Sequence, residues 1–137
     1  TFCLTYGDGL SDVDISESIK FHKNHNFVAT VTAVQPPGRF GSLKIEEDMV
    51  TNFQEKPPGD SNWVNGGYFV CEPEIIDYIE DDTTNFEGQP LQQLSSSGKL
   101  GSFKHHGFWM PMDTLRDKRA LNEMWDNDEA LWKTWEK

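Results

Sequence analysis

The chain of 137 residues predicts an α/β fold, and three features predict it. Short runs rich in β-branched and aromatic residues alternate with amphipathic segments of helical period. Glycine- and proline-rich turns such as PPGRFG and PPGDSN separate those runs. Nine Phe, five Trp and three Tyr, with an apolar fraction of 36%, supply a core for one domain over 1–137.

The elements follow in order. Phe2 to Tyr6 is a short buried strand that runs into Gly7-Asp8-Gly9. Asp14 stands as N-cap with Glu17 at the third helical position, so a helix over about Ile15 to Asn24 follows. FVATVTAV, 27–34, is a β-branched strand broken by PPGRFG, 36–41. SLKI, 42–45, and VTNFQE, 50–55, flank an acidic turn and predict a hairpin. PPGDSN, 57–62, is a loop, and WVNGGYFV, 63–70, is a strand with two glycines inside it. Pro73 opens a helix whose buried face is Ile75, Ile76 and Ile79. Phe86, Leu91 and Leu94 mark a helix within 86–97, ended by Gly98. LGSFKHHGFWMPM, 100–112, returns as one or two strands. DTLRDKRALNEMWDN, 113–127, is a helix with apolar Leu115, Leu121, Met124 and Trp125. The tail DEALWKTWEK, 128–137, is amphipathic and aromatic, as a core-packing helix or a subunit contact.

Charge narrows the function. Twelve basic against 23 acidic residues give a net charge of −11, which argues against binding nucleic acid or anionic membranes. An anionic ligand would need a particular Lys or Arg, or a divalent cation. Cys3 and Cys71 lie in apolar strand runs, as two reduced core thiols of a cytoplasmic protein would. No apolar run reaches the roughly 18 residues of a membrane span.

Single positions each admit a structural and a functional reading. Asp8 is a turn residue, or a carboxylate at a strand end that holds Mg²⁺. Asp113 is an N-cap, or a second ligand at another strand end. Lys56 is a solvated strand end, or a point charge for a phosphate beside Glu55. Asn65-Gly66 marks a bulge, or the close approach of a ligand or another backbone. Arg39 pairs with surface carboxylates or with phosphate. His22 and His25 look like a helix surface, His105 and His106 like a strand pair, and Asp12 like loop surface. No activated Ser or Cys nucleophile is visible.

The order YGDG … PPGRFG … FQEKP … NGGYFV … FWMPMDTLRDK … LWKTWE is more specific than any single piece. It resembles the later half of the sugar-1-phosphate nucleotidyltransferases, and within them the branch that joins CTP and glucose 1-phosphate into CDP-glucose. The resemblance implies a Rossmann-like mixed sheet with flanking helices, whose N-terminal nucleotide-binding part is missing here. It implies that Asp8 and Asp113 ligate Mg²⁺, that Lys56 meets the sugar phosphate and that Glu55 meets the sugar hydroxyls. Phe40-Gly41 and Val64-Asn65-Gly66 would line the hexose pocket. Without that N-terminal part, an exposed sheet edge and an uncovered apolar face would remain, which predicts a homo-oligomer or pairing with the missing half, and no activity for this chain alone. Two other classes stay open: a non-catalytic remnant that binds sugar phosphate, and a glycosyltransferase using a nucleotide sugar.

Overall fold

A computed structural model describes residues 1–36, 42–54 and 62–135. Strand β1 (Phe2–Thr5) and the short β2 (Gly9–Ser11) precede helix α1 (Ile15–Lys23) and strand β3 (Ala29–Val34). The hairpin β4 (Ser42–Glu46) and β5 (Met49–Gln54) follows, and then β6 (Val64–Cys71). A 3-10 helix (Pro73–Tyr78) and α2 (Gln89–Ser96) lead to β7 (Leu100–Lys104), β8 (Trp109–Pro111) and α3 (Leu115–Asp126).

The main sheet has the order β1-β6-β3-β7. Pairing of β3 with β7 is parallel, and β6 is antiparallel to both β1 and β3. The sheet is therefore mixed, with helices on its two faces. β3 is buried along nearly its whole length, as its unbroken ATVTAV run requires of a central strand. On one face Val28, Ala29, Phe69, Cys71, Ile75 and Leu94 form the core, with Leu4, Tyr6, Phe86 and Leu91 packed against it. The other face carries α1. There the imidazole of His22, 1% exposed, lies 2.8 Å from the Thr30 hydroxyl and 3.2 Å from a Glu72 carboxylate oxygen. A ring that donates from Nε2 to Glu72 and accepts at Nδ1 satisfies both neighbours. Hydrogen bonds from the Thr1 hydroxyl and then from His22 hold Glu72 below the usual carboxylate range. His22 is thus an interior residue, contrary to the helix-surface expectation, because β3 presents a buried hydroxyl opposite it.

Local signals held where they are self-contained. The Asp14 carboxylate accepts the Glu17 amide at 3.0 Å and starts α1. The acidic Glu47-Asp48 turn closes the hairpin, with Glu47 at φ 55. Gly98, at φ 69, follows α2 in the left-handed region that glycine tolerates. Two of the helical expectations change. The Pro73 segment is a single 3-10 helix that buries Ile75 alone, while Ile76 and Ile79 are 59% and 38% exposed. Threefold periodicity does not keep all three isoleucines on one face. Over the described residues 127–135 the tail is turns and not an amphipathic helix. Asp128 takes φ 57 and ends α3, after which Trp132 stacks on Phe108 with 5.5 Å between centroids.

Both cysteines are free, but Cys3 is exposed on the edge strand β1 and only Cys71 belongs to the core. Burial pushes the Cys71 thiol up to about 11. Labelling with a disulfide reagent at pH 8 is expected to modify Cys3 within minutes and Cys71 only on unfolding. Two thiols reacting together in the folded chain would contradict this burial.

Candidate functional site

β1, β3 and β7 run in one direction and β6 against them. Their carboxyl ends therefore share one edge of the sheet with the start of β6, the edge where open α/β sheets bind ligands. Asp8 lies three residues beyond β1, and Val64, Asn65 and Gly66 open β6.

The ribbon β2/β8 completes this edge. Gly9 pairs with Pro111, Leu10 with Met110 and Ser11 with Trp109. One step further, the Met112 amide donates to the Asp8 carbonyl at 2.8 Å. Asp113 follows immediately, so two aspartates 105 residues apart in sequence meet at one end of the ribbon. Two side chains bolt the ribbon to β6. The Trp109 indole N–H donates to the Gly66 carbonyl at 2.8 Å, and the Tyr68 hydroxyl donates to the Gly9 carbonyl at 2.7 Å.

Asp113 is not the helix cap. Thr114 caps α3: its hydroxyl accepts the Asp117 amide, and the Asp117 carboxylate returns to the Thr114 amide at 2.9 Å. This leaves the Asp113 carboxylate uncommitted. Among the described residues, neither Asp8 nor Asp113 has a side-chain hydrogen bond or ion pair, and no group of three or more metal-ligating side chains exists. Two exposed, acceptor-only carboxylates suit Mg²⁺, which takes one or two carboxylates and fills its octahedron with water and phosphate oxygens.

Behind Asp8 lies a polar network that sequence reasoning missed. The Asn65 amide donates to the Tyr6 hydroxyl and to Glu87 Oε1, both at 3.2 Å, and Asn65 Oδ1 accepts the Gly67 amide at 2.9 Å. Burial pushes the Tyr6 phenol up to about 12; the Asn65 bond opposes this, and Glu87 and Asp8 add to it. Tyr6 is therefore a neutral hydroxyl at working pH. Tyr6 belongs to the YGDG piece and was within reach of the sequence, whereas Glu87 and Trp109 reach the edge only through long-range packing.

The two interior glycines serve the sheet itself. A Cβ at Gly66 would come within 2.9 Å of the Thr32 carbonyl and of Val34 Cγ1 on β3. Gly67 takes φ 78, and a Cβ there would come within 3.0 Å of the Tyr6 ring. The close approach is by another backbone and an aromatic ring, where the β3–β6 register shifts between Val31 and Ala33. Of the sequence-predicted site residues, Asp8, Asp113, Val64, Asn65 and Gly66 gather at this edge. Arg39, Phe40, Gly41, Glu55 and Lys56 lie outside the described residues. Asp12 lies in the loop after β2 as expected, but it is only 32% exposed, and its buried Oδ1 is 3.0 Å from His105 Nε2.

Comparison with known proteins bears on the whole arrangement. The family model described as nucleotidyl transferase matches residues 1–122. Glucose-1-phosphate cytidylyltransferase of Salmonella typhi is 53% identical over 135 residues, covering 98% of this chain and 52% of its own length. A Bacillus subtilis (strain 168) protein named "Probable glucose-1-phosphate cytidylyltransferase" is 39% identical over 136 residues, again 98% of this chain and 53% of its own. The chain thus spans about half the length of the relatives it matches. The crystal structure of HddC from Yersinia pseudotuberculosis superposes with a TM-score of 0.62 at 21% identity, covering 90% of this chain and 55% of that one, which supports the fold. No helix among the described residues is long and apolar enough to cross a membrane. With the family model covering 122 of its 137 residues, this chain belongs to the nucleotidyl transferase family.

Proposed function

We propose that this chain carries the metal and sugar-phosphate part of a glucose-1-phosphate cytidylyltransferase. The observation that carries the reading is the β2/β8 ribbon, which sets Asp8 beside Met112-Asp113 at the carboxyl edge, next to Asn65-Gly66. In the reaction, a phosphate oxygen of glucose 1-phosphate attacks the α-phosphorus of CTP. The bond from that phosphorus to the bridging β-oxygen breaks, and pyrophosphate leaves with the electron pair. Such transfer needs positioning and charge neutralisation rather than a covalent nucleophile. Mg²⁺ held by Asp8 and Asp113 supplies that neutralisation when bound. Lys56 meets the sugar phosphate, with Arg39 as a second cation for it, and Glu55 accepts from sugar hydroxyls. Phe40-Gly41, Val64, Asn65 and Gly66 line the hexose, with the Asn65 side chain already fixed by three partners.

The test is titration calorimetry of this chain with glucose 1-phosphate in Mg²⁺. Saturable binding is expected, and Lys56→Ala is expected to weaken it by roughly tenfold, the loss of one charge-assisted contact of about 1.5 kcal/mol. No heat with the sugar phosphate would contradict the reading, and binding unaffected by Lys56→Ala would remove the assigned role of Lys56.

A further inference from the structure

The β2/β8 ribbon is only three residue pairs long, and it carries the two aspartates at one end. A two-stranded ladder of that length does not hold its own register in water, and a one-residue slip would move Asp8 away from Asp113. Tyr68 ties the ribbon's site end to β6 through Gly9, and Trp109, paired with Ser11, ties its far end.

At that end lies a pair with no assigned role. The Asp12 amide donates to the Phe108 carbonyl at 3.2 Å, extending the ladder past Ser11–Trp109. His105 is anchored in the main sheet, where its amide donates to the Ala33 carbonyl at 2.9 Å beyond the end of β7. Its Nε2 faces both the Phe108 carbonyl at 3.2 Å and Asp12 Oδ1 at 3.0 Å. Asp12 Oδ1 is itself buried and forms no hydrogen bond among the described residues, so the 3.0 Å approach of His105 Nε2 is a contact at ion-pair distance. The hydrogen bond of Nε2 goes to the Phe108 carbonyl, and Asp12 Oδ1 stands beside it at ion-pair distance. Gly107 makes the approach possible: a Cβ there would overlap Asp12 Oδ1 and stand 2.7 Å from the His105 ring. An orphaned buried carboxylate oxygen is costly, so the imidazole and the carboxylate hold each other in place.

We propose that His105 and Asp12 are positioning residues, a brace between β7 and the ribbon that sets the spacing of Asp8 and Asp113 for a divalent cation. This inference rests on the metal reading above. The brace touches neither the cation nor the substrate. It acts at the end opposite the site, together with Trp109, while Tyr68 holds the ribbon at its site end through Gly9.

The experiment is Mn²⁺ titration of the full chain followed by electron paramagnetic resonance, with circular dichroism to show that each variant is folded. Asp12→Ala removes the acceptor, and Gly107→Ala drives it away without altering either partner. Each folded variant is expected to bind Mn²⁺ about tenfold more weakly, the low end of what partners outside the coordination sphere give. His105→Gln, whose amide can donate to Asp12, is expected to stay within about threefold of the unaltered chain. A purely structural role would lower the melting temperature and leave the affinity of the folded chain unmoved, and that result in either breaking variant overturns the brace. No Mn²⁺ binding by the unaltered chain overturns the metal reading and the brace together. Mn²⁺ binding that survives Asp12→Ala and Gly107→Ala unchanged overturns the brace alone.

Discussion

Asp8→Asn and Asp113→Asn are each expected to weaken Mn²⁺ or Mg²⁺ binding by at least about tenfold, and the double variant to abolish it. Magnesium in such a site depends on one or two carboxylates, so removing one charge removes a large share of the attraction. Stability should not fall. Neither carboxylate has a hydrogen-bond or ion-pair partner among the described residues. The helix cap is Thr114, so Asp113→Asn leaves the start of α3 intact. A metal titration read beside a thermal melt separates these effects. Undiminished affinity in the double variant would place the cation elsewhere. A large drop in melting temperature for Asp113→Asn would mean that this carboxylate is structural.

Phe69→Ala is expected to lower stability by about 3–5 kcal/mol, the usual cost of emptying a buried aromatic site. Phe69 is 2% exposed in the middle of β6. It packs against the Tyr6 ring at 5.7 Å and edge-on to Phe86 at 5.3 Å. Both neighbours lead to the site: Tyr6 accepts from Asn65, and Phe86 is followed by Glu87, which accepts from Asn65 as well. The core therefore fixes the polar network from below. Urea unfolding measures the loss. A cost under 1 kcal/mol would show that the ring sits in a loosely packed space.

The parts of the fold legible in the sequence were those set by local chemistry. The Asp14 cap, the β-branched FVATVTAV run, the acidic hairpin turn and Gly98 each act within a few residues. Asp8 and Asp113 were legible as strand-end carboxylates, and their order with the other pieces pointed to the family. What stayed hidden depends on partners far away in the chain. His22 sits on an amphipathic helix, and only β3 and Glu72, 50 residues on, show that its side is inward. Asp12 is indistinguishable from a loop residue until β7 brings His105 to it. Ile76 and Ile79 have the right type for a core but follow a 3-10 turn. Thr114 displaced Asp113 as cap because Asp117 stands where it can answer the Thr114 amide. The glycines of β6 signalled close approach, and the approaching groups are β3 and Tyr6.

The proposed role of this chain requires the ribbon-end aspartates and the sugar phosphate to share one metal site. The most direct measurement is ³¹P nuclear magnetic resonance of glucose 1-phosphate with this chain and a trace of Mn²⁺. Phosphorus broadening beyond that of free Mn²⁺ with the sugar phosphate is expected, and its loss in Asp8→Asn. Broadening that does not depend on the chain, or that persists undiminished in Asp8→Asn, would contradict it.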